Sequence, residues 1–248
     1  GQAKGVETLS GEVFRANRLV ASAVDLKQTF LELVGEENLE GEFLKKIRNF
    51  KLDEFSLFGV HLALNEPPIH RAAQFDPDVD MAFKLNIGLE TPEDYQVLWS
   101  EIRSGKLPEH LGLYCSVPSL FDSNQAPKGK HAALIWQPVP YALKDGGPEK
   151  WDEVKNEYME ACIAKWRGYA PNLTDDNILG KFAFSPLDIE RKLYNMKNGG
   201  VFMGRMIQGQ LEYFRPLPEL AQFRTRDANR PRQRVVLQLL QTGRDGGV

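Results

Sequence analysis

The chain has 248 residues, 42% of them apolar, 10% aromatic and 26% charged, with a formal net charge of −3. That composition supports a buried core in one large domain or two modest ones, and it excludes a nucleic-acid binder that relies on a basic stripe. No apolar run approaches the ~18–20 residues of a membrane span, and no basic-then-apolar leader opens the chain. A cytoplasmic protein is expected, and a start inside a hairpin leaves room for a targeting segment upstream.

Taken in order, residues 3–8 and 12–23 read as two strands about a turn at Leu9, Ser10 and Gly11. Asp25 offers an N-cap with Gln28 as its capping-box partner, and Leu26, Phe30 and Leu33 share a face, which predicts a helix over 26–34 ended by Gly35. Phe43, Ile47 and Phe50 mark a second helix. Residues 55–64 are apolar on both faces, as in a central strand, and Pro67-Pro68 ends them. Residues 79–89 alternate: Val79, Met81, Phe83, Leu85, Ile87 and Leu89 against polar or small neighbours, which predicts a strand with one face on a core.

Thr91-Pro92-Glu93-Asp94 is a helix start, with a capping hydroxyl, proline at the first turn and acids at the positive dipole end. The helix buries Tyr95, Leu98, Trp99 and Ile102 and stops near Gly105. Strands are expected at 111–117 and 130–137, and a long helix over 150–168 with Trp151, Val154, Tyr158, Cys162 and Trp166 on one stripe. A strand at 178–184, a helix over 186–195 opened by Ser185-Pro186 and a strand at 200–207 complete the pattern. Helices and closely spaced strands intermix, which predicts an α+β fold with a mixed or mostly antiparallel sheet and packed helices.

Several chemistries lack their motifs. No G-x-G-x-x-G follows a strand, no phosphate-binding loop precedes a lysine, and no G-x-S-x-G elbow is present. His61, His70, His110 and His131 form no metal-ligand spacing, and Cys115 and Cys162 read as two reduced, buried thiols, so no metal is expected. Asp76, Asp78 and Asp80 cluster; they read as a solvated loop or as an acid/base set.

A run of short motifs resembles the phytoene dehydrogenase-related flavoproteins. They are Ser10-Gly11-Glu12, Val20 to Ala23, Thr29-Phe30 with Leu33, His61 to Pro67, Cys115 to Ser119, Ala126 to Gly129, Tyr169-Ala170-Pro171, Ser185 to Glu190, Gly199-Gly200, Phe214-Arg215-Pro216 and Phe223-Arg224-Thr225. They keep one order over residues 1–225. The resemblance implies the substrate-binding domain of the flavin-dependent amine oxidase/desaturase fold. It also implies an FAD-dependent oxidoreductase whose flavin takes hydride from an apolar or small amine-like substrate, with the sheet and its strand 79–89 as the floor of the cavity. It assigns Tyr213, Phe214 and Arg215 to substrate and Arg224 and Thr225 to the cofactor, with Arg215 at the rim of the largest apolar cavity.

Two departures bear on activity. The family's FAD fingerprint has no counterpart here, so FAD is not expected to be held tightly. After Thr225 the family's glycine-rich segment past the flavin is replaced by a stretch with five Arg and no Lys or aromatic residue. Residues 1–225 hold 26 basic and 32 acidic residues, whereas 226–248 hold five and two. That break reads as a shifted reading frame or an artificial boundary, with an evolved tail as the alternative; an ordered tail would dock its Val235 to Leu240 patch on an exposed domain face. The expected division is 1–24 as the hairpin of an FAD domain, 25–225 as a substrate-binding-type domain and 226–248 as an Arg-rich tail. Three functions stay open: the substrate-binding part of a flavin oxidoreductase; a non-redox module that binds an apolar or small organic ligand or forms homo-oligomers through an exposed face; and a hydrolase using Asp78, Asp80 or Glu90.

Overall fold

The computed structural model describes residues 3–202 and 204–210, so expectations for Tyr213 through the tail lie outside the described residues. The chain divides into two units, residues 1–52 with 202–248 and residues 53–201.

In the first unit, β1 (Gly5–Glu7) pairs antiparallel with β2 (Val13–Arg15). Gly5 is required here, because a Cβ at that position would fall 2.2 Å from the Phe14 carbonyl oxygen. The second strand is far shorter than the expected 12–23. Asp25 caps the next turn as expected, its Oδ1 accepting the Lys27 and Gln28 N–H groups at 2.9 and 3.2 Å. The helix it opens becomes a π-helical turn over Gln28–Leu33, in which Val34 N–H reaches five residues back to Thr29. Phe30 packs edge-on against Phe43 of α1 (Gly41–Asn49), with ring centroids 5.0 Å apart. The described part of 200–207 is not a strand: Arg205 N–H donates to Lys51 O, and the Gln210 side chain both accepts from and donates to the Lys51 backbone. The glycines at 199, 200, 204 and 209 favour turns there over extended pairing.

The second unit is built on a five-stranded sheet, α+β in class, in which every pairing is antiparallel. Its strands are β3 (Ser56–Leu64), β4 (Leu85–Ile87), β5 (Leu113–Ser116), β6 (His131–Val139) and β7 (Ile178–Phe184), in spatial order β4-β5-β6-β3-β7. The central place of β3 follows from its two-faced apolar character. Helices α2 (Pro92–Arg103), α3 (Trp151–Arg167) and α4 (Pro186–Lys192) accompany it. One sheet face, with Phe58, Val60, Cys115 and Ile135, packs on Trp151, Tyr158, Cys162 and Trp166 of α3 in a single core. Phe58 stacks on Trp151 at 5.5 Å and meets Tyr158 edge-on at 5.1 Å.

The period-2 reading of 79–89 is corrected. Only Leu85–Ile87 is strand, and Pro77–Met81 is a 3-10 helix. Asp76 caps that turn through the Asp78 N–H, and Pro77 supplies a preset φ, so local turn chemistry overrides the alternation. Met81 and Phe83 are consequently exposed rather than core. Among the described residues no helix is long and apolar enough to cross a membrane.

Candidate functional site

The second unit's sheet has one face on the core and one open face. Alternation along β3 places Gly59, His61 and Ala63 on the open face, and the registers set their neighbours. Gly59 lies between Trp136 on β6 and Phe184 on β7; His61 lies between Leu134 and Phe182; Tyr114 on β5 stands beside Trp136. Trp136 is 42% exposed and Phe182 54%. Phe182 and Phe184 meet edge-on at 4.6 Å, and His61 meets Phe184 edge-on at 6.0 Å. Two lysines flank this aromatic surface: Lys84 Nζ sits 4.3 Å from the Tyr114 ring centroid and Lys192 Nζ 5.0 Å from that of Phe184.

The surface is apolar but carries hydrogen-bonding groups. Among the described residues, the His61 imidazole, the Trp136 indole N–H and the Tyr114 hydroxyl make no hydrogen bond. Loss of water around His61 pushes its pKa below 6.5, so the ring is neutral at pH 7. Partial burial, with a smaller effect of Tyr95, raises that of the Tyr114 phenol, which stays protonated. The arrangement can hold a flat or elongated apolar molecule by stacking and offers it neutral donors and acceptors, with no carboxylate in the cluster.

A second concavity, an open cleft of about 770 Å³, lies between the turn after α2 and the flank of α3, with Leu107, Leu143 and Val154 in its lining. Most of its polar groups are engaged. Lys106 pairs with Glu101 and Glu109, Lys150 with Glu153, and the Tyr158 hydroxyl donates to Pro108 O at 3.1 Å. The sheet face, with its unengaged donors and acceptors, is the better candidate.

Of the residues singled out from sequence, Asp80 is tied to His70, its Oδ1 accepting the backbone N–H at 2.9 Å and lying 2.8 Å from Nδ1. Asp78 is exposed, and Glu90, also exposed, donates its N–H to Asp94. Among the described residues no hydrogen bond links these three carboxyl groups, and no cluster of three His, Cys, Asp or Glu could hold a metal. Tyr213, Phe214, Arg215, Arg224 and Thr225 lie outside the described residues. Sequence reasoning missed Trp136, Phe182 and Gly59. A lone glycine inside an otherwise apolar strand was the available signal for the last of these.

The fold defines an antiparallel sheet with one helix-covered face and one open aromatic face. No protein-family model matches the chain. Curated relatives do, among them the following three. It is 31% identical to a limonene dehydrogenase chain of Castellaniella defragrans over 228 residues, 87% of this chain and 41% of that protein. It is 29% identical to the pyridine nucleotide-disulfide oxidoreductase domain-containing protein 2 of Rattus norvegicus over 231 residues, 90% of this chain and 39% of that protein. It is 31% identical to the 4,4'-diapophytoene desaturase of Staphylococcus haemolyticus over 125 residues, 50% of this chain and 25% of that protein. The chain is a distant homologue of these oxidoreductases and desaturases. It spans about two fifths of the length of the first two relatives.

The diphosphate of FAD is normally received by free N–H groups at a helix N-terminus. Among the described residues every α-helix opens with acid in its first turn: Glu42 in α1, Glu93 and Asp94 in α2, Asp152 and Glu153 in α3, and Asp188 in α4. Asp94 and Asp188 already accept the N–H groups that precede their helices. The described residues do not fit that part of the cofactor.

Proposed function

We propose that this chain is the substrate-binding portion of an FAD-dependent oxidoreductase of the desaturase or dehydrogenase type, acting on an apolar or small organic molecule. The observation that carries this reading is the open aromatic face formed by Tyr114, Trp136, His61, Phe182 and Phe184 on four adjacent strands. Two relatives are named for limonene and a phytoene derivative, both apolar, in keeping with such a surface. The chain's own contribution is to lay the substrate flat, exclude water and present neutral hydrogen-bonding groups; when bound, FAD supplies the redox chemistry. We assign this role to residues 25–225 and place the protein in the cytoplasm, with FAD held weakly by this chain alone.

Two measurements test the reading. The purified chain should show little bound-flavin absorbance, and titration with limonene should quench the fluorescence of Trp136. A chain that retains stoichiometric flavin through purification overturns the assignment to the substrate-binding portion, and an unresponsive Trp136 removes the face from the site. The exposure of Phe182 and Trp136 also favours a second reading, in which two copies associate through this face. Light scattering of the parent and of Phe182→Lys separates the two, since only self-association predicts a halved mass for the variant.

A further inference from the structure

The cleft on the flank of α3 has an apolar bed and a charged rim, and it lies across the sheet from the open aromatic face, because α3 packs on the covered side. Val154, Tyr158 and Ala161 of α3 form one wall, and Leu107, Leu111 and Leu143 add to the apolar lining. Val154, Leu107 and Leu111 are only half-buried, so apolar surface stays in contact with water. The hydroxyls in the bed are taken: Tyr158 donates to Pro108 O at 3.1 Å and Ser104 to Glu101 O at 2.9 Å. From Lys150 to Ala161 the helical wall runs about 16 Å, room for an extended alkyl chain. Lys106, Lys144 and Lys150 border the cleft together with Glu109 and Asp145. Lys106 pairs with Glu109 at 3.0 Å and with Glu101 at 3.4 Å, and Lys150 pairs with Glu153. Glu109 and Glu153 are largely exposed, so water screens those two pairs and they are easily exchanged. The Lys144 side chain makes no ion pair or hydrogen bond among the described residues. Three ammonium groups therefore face two acids, one of them already paired, and the rim is positive in balance.

We infer that this cleft is a second ligand site, which takes a single-chain amphiphile of the fatty-acid carboxylate class, with the alkyl chain along α3 and the carboxylate at the lysines. An alkyl chain there removes Val154, Leu107 and Leu111 from water and asks the bed for no hydrogen bond, since its hydroxyls are already engaged. The carboxylate gives Lys144 a partner and draws on Lys106 and Lys150, whose exposed glutamates return to solvent. An alcohol with the same chain gains the apolar part alone, and an alkylammonium meets the lysines with like charge. Because the cleft and the aromatic face lie on opposite sides of the sheet, the site stands whether or not that face takes a substrate.

The test is calorimetric titration of the whole chain with decanoate, decanol and decylammonium, each below its micelle concentration. Decanoate should bind about three- to tenfold more tightly than decanol, and decylammonium most weakly. Lys144→Gln should bring decanoate down towards decanol, whereas Lys144→Arg, which keeps the charge, should preserve the preference. Ala161→Gln, which sets a polar side chain into the exposed wall, should weaken decanoate and decanol alike. Phe182→Ala on the open face should leave decanoate affinity unchanged. A parent that binds no decanoate overturns the site, and equal affinity for decanoate and decylammonium overturns the role of the lysines. Loss of decanoate binding in Phe182→Ala, with the Lys144 and Ala161 variants unaffected, puts the ligand on the sheet face and overturns the cleft assignment. Lys144 and Ala161 are exposed, so the melting temperatures of their variants should match the parent's.

Discussion

The indole nitrogen of Trp166 donates to Nε2 of His70 at 3.0 Å, with the two rings inclined by 25°. That bond leaves the imidazole proton on Nδ1, facing Asp80 Oδ1 at 2.8 Å. Carboxylate, imidazole and indole form a continuous chain that fastens the segment around residues 70–81 to the C-terminal end of α3. Because His70 is only 7% exposed, Trp166→Phe strands a buried acceptor. The expected loss is about 1–3 kcal/mol in urea denaturation. Asp80→Ala should destabilise in the same direction, and an unchanged midpoint in both variants contradicts the fastening role.

Ser185 and Asp188 open α4 with a reciprocal capping box, and Lys155 lies 3.1 Å from both carboxylate oxygens of Asp188. Burial works to raise the Asp188 pKa, but the Ser185 N–H, Lys155 and the Ser185 hydroxyl outweigh it and hold it below 3.8. A depressed carboxyl stabilises the fold above its unfolded pKa and loses that contribution as pH falls through the folded one. Asp188→Asn should therefore cost stability at neutral pH, and the gap from the parent should shrink in denaturation series run towards about pH 3. Ser185→Ala should cost about 1 kcal/mol.

Cys115 and Cys162 are free and buried, and burial raises both thiols, Cys162 to about 12. Thiolate is the reactive form. The native protein should not react with an aromatic disulfide reagent over minutes, and both thiols should titrate in denaturant. Rapid labelling of either in the native chain would place it on an accessible surface.

His61 gives a pH signature of the open face. Its folded pKa lies below 6.5 because water around the ring is reduced. Acidification below the unfolded value thus protonates the unfolded chain first and lowers stability. The ring resonances of His61 should titrate with a midpoint under 6.5, and His61→Phe should lose less stability than the parent between neutral pH and about pH 5.

Trp136 should be the largest contributor to quenching by acrylamide, since Trp151 and Trp166 are fully buried, Trp99 is partly buried against Phe55 and Trp136 is 42% exposed. Trp136→Phe should lower the quenchable emission, leaving that of Trp99. If quenching persists undiminished, the face is covered in solution.

The sequence alone determined the elements whose causes are local. Thr91 and Ser185 announce their helices because the hydroxyl accepts the N–H three residues on, the acid there accepts the capping residue's own N–H, and the proline between them has no N–H to satisfy, wherever the helix sits. The apolar run 55–64 reads as a central strand because both of its faces must be covered, and Ser56–Leu64 is that strand. The failures came where local and periodic signals compete. At 79–89 the alternation is real, but Asp76 and Pro77 close a turn before any strand partner is reached. The candidate site was the least legible part. Tyr114, Trp136, Gly59 and Phe184 form one row only because the sheet runs β5-β6-β3-β7, which brings residues from distant parts of the chain side by side. Strand order depends on which faces the helices cover, a property of the packed whole. Tertiary structure therefore decided which aromatic side chains became core and which were left on the open face of the sheet.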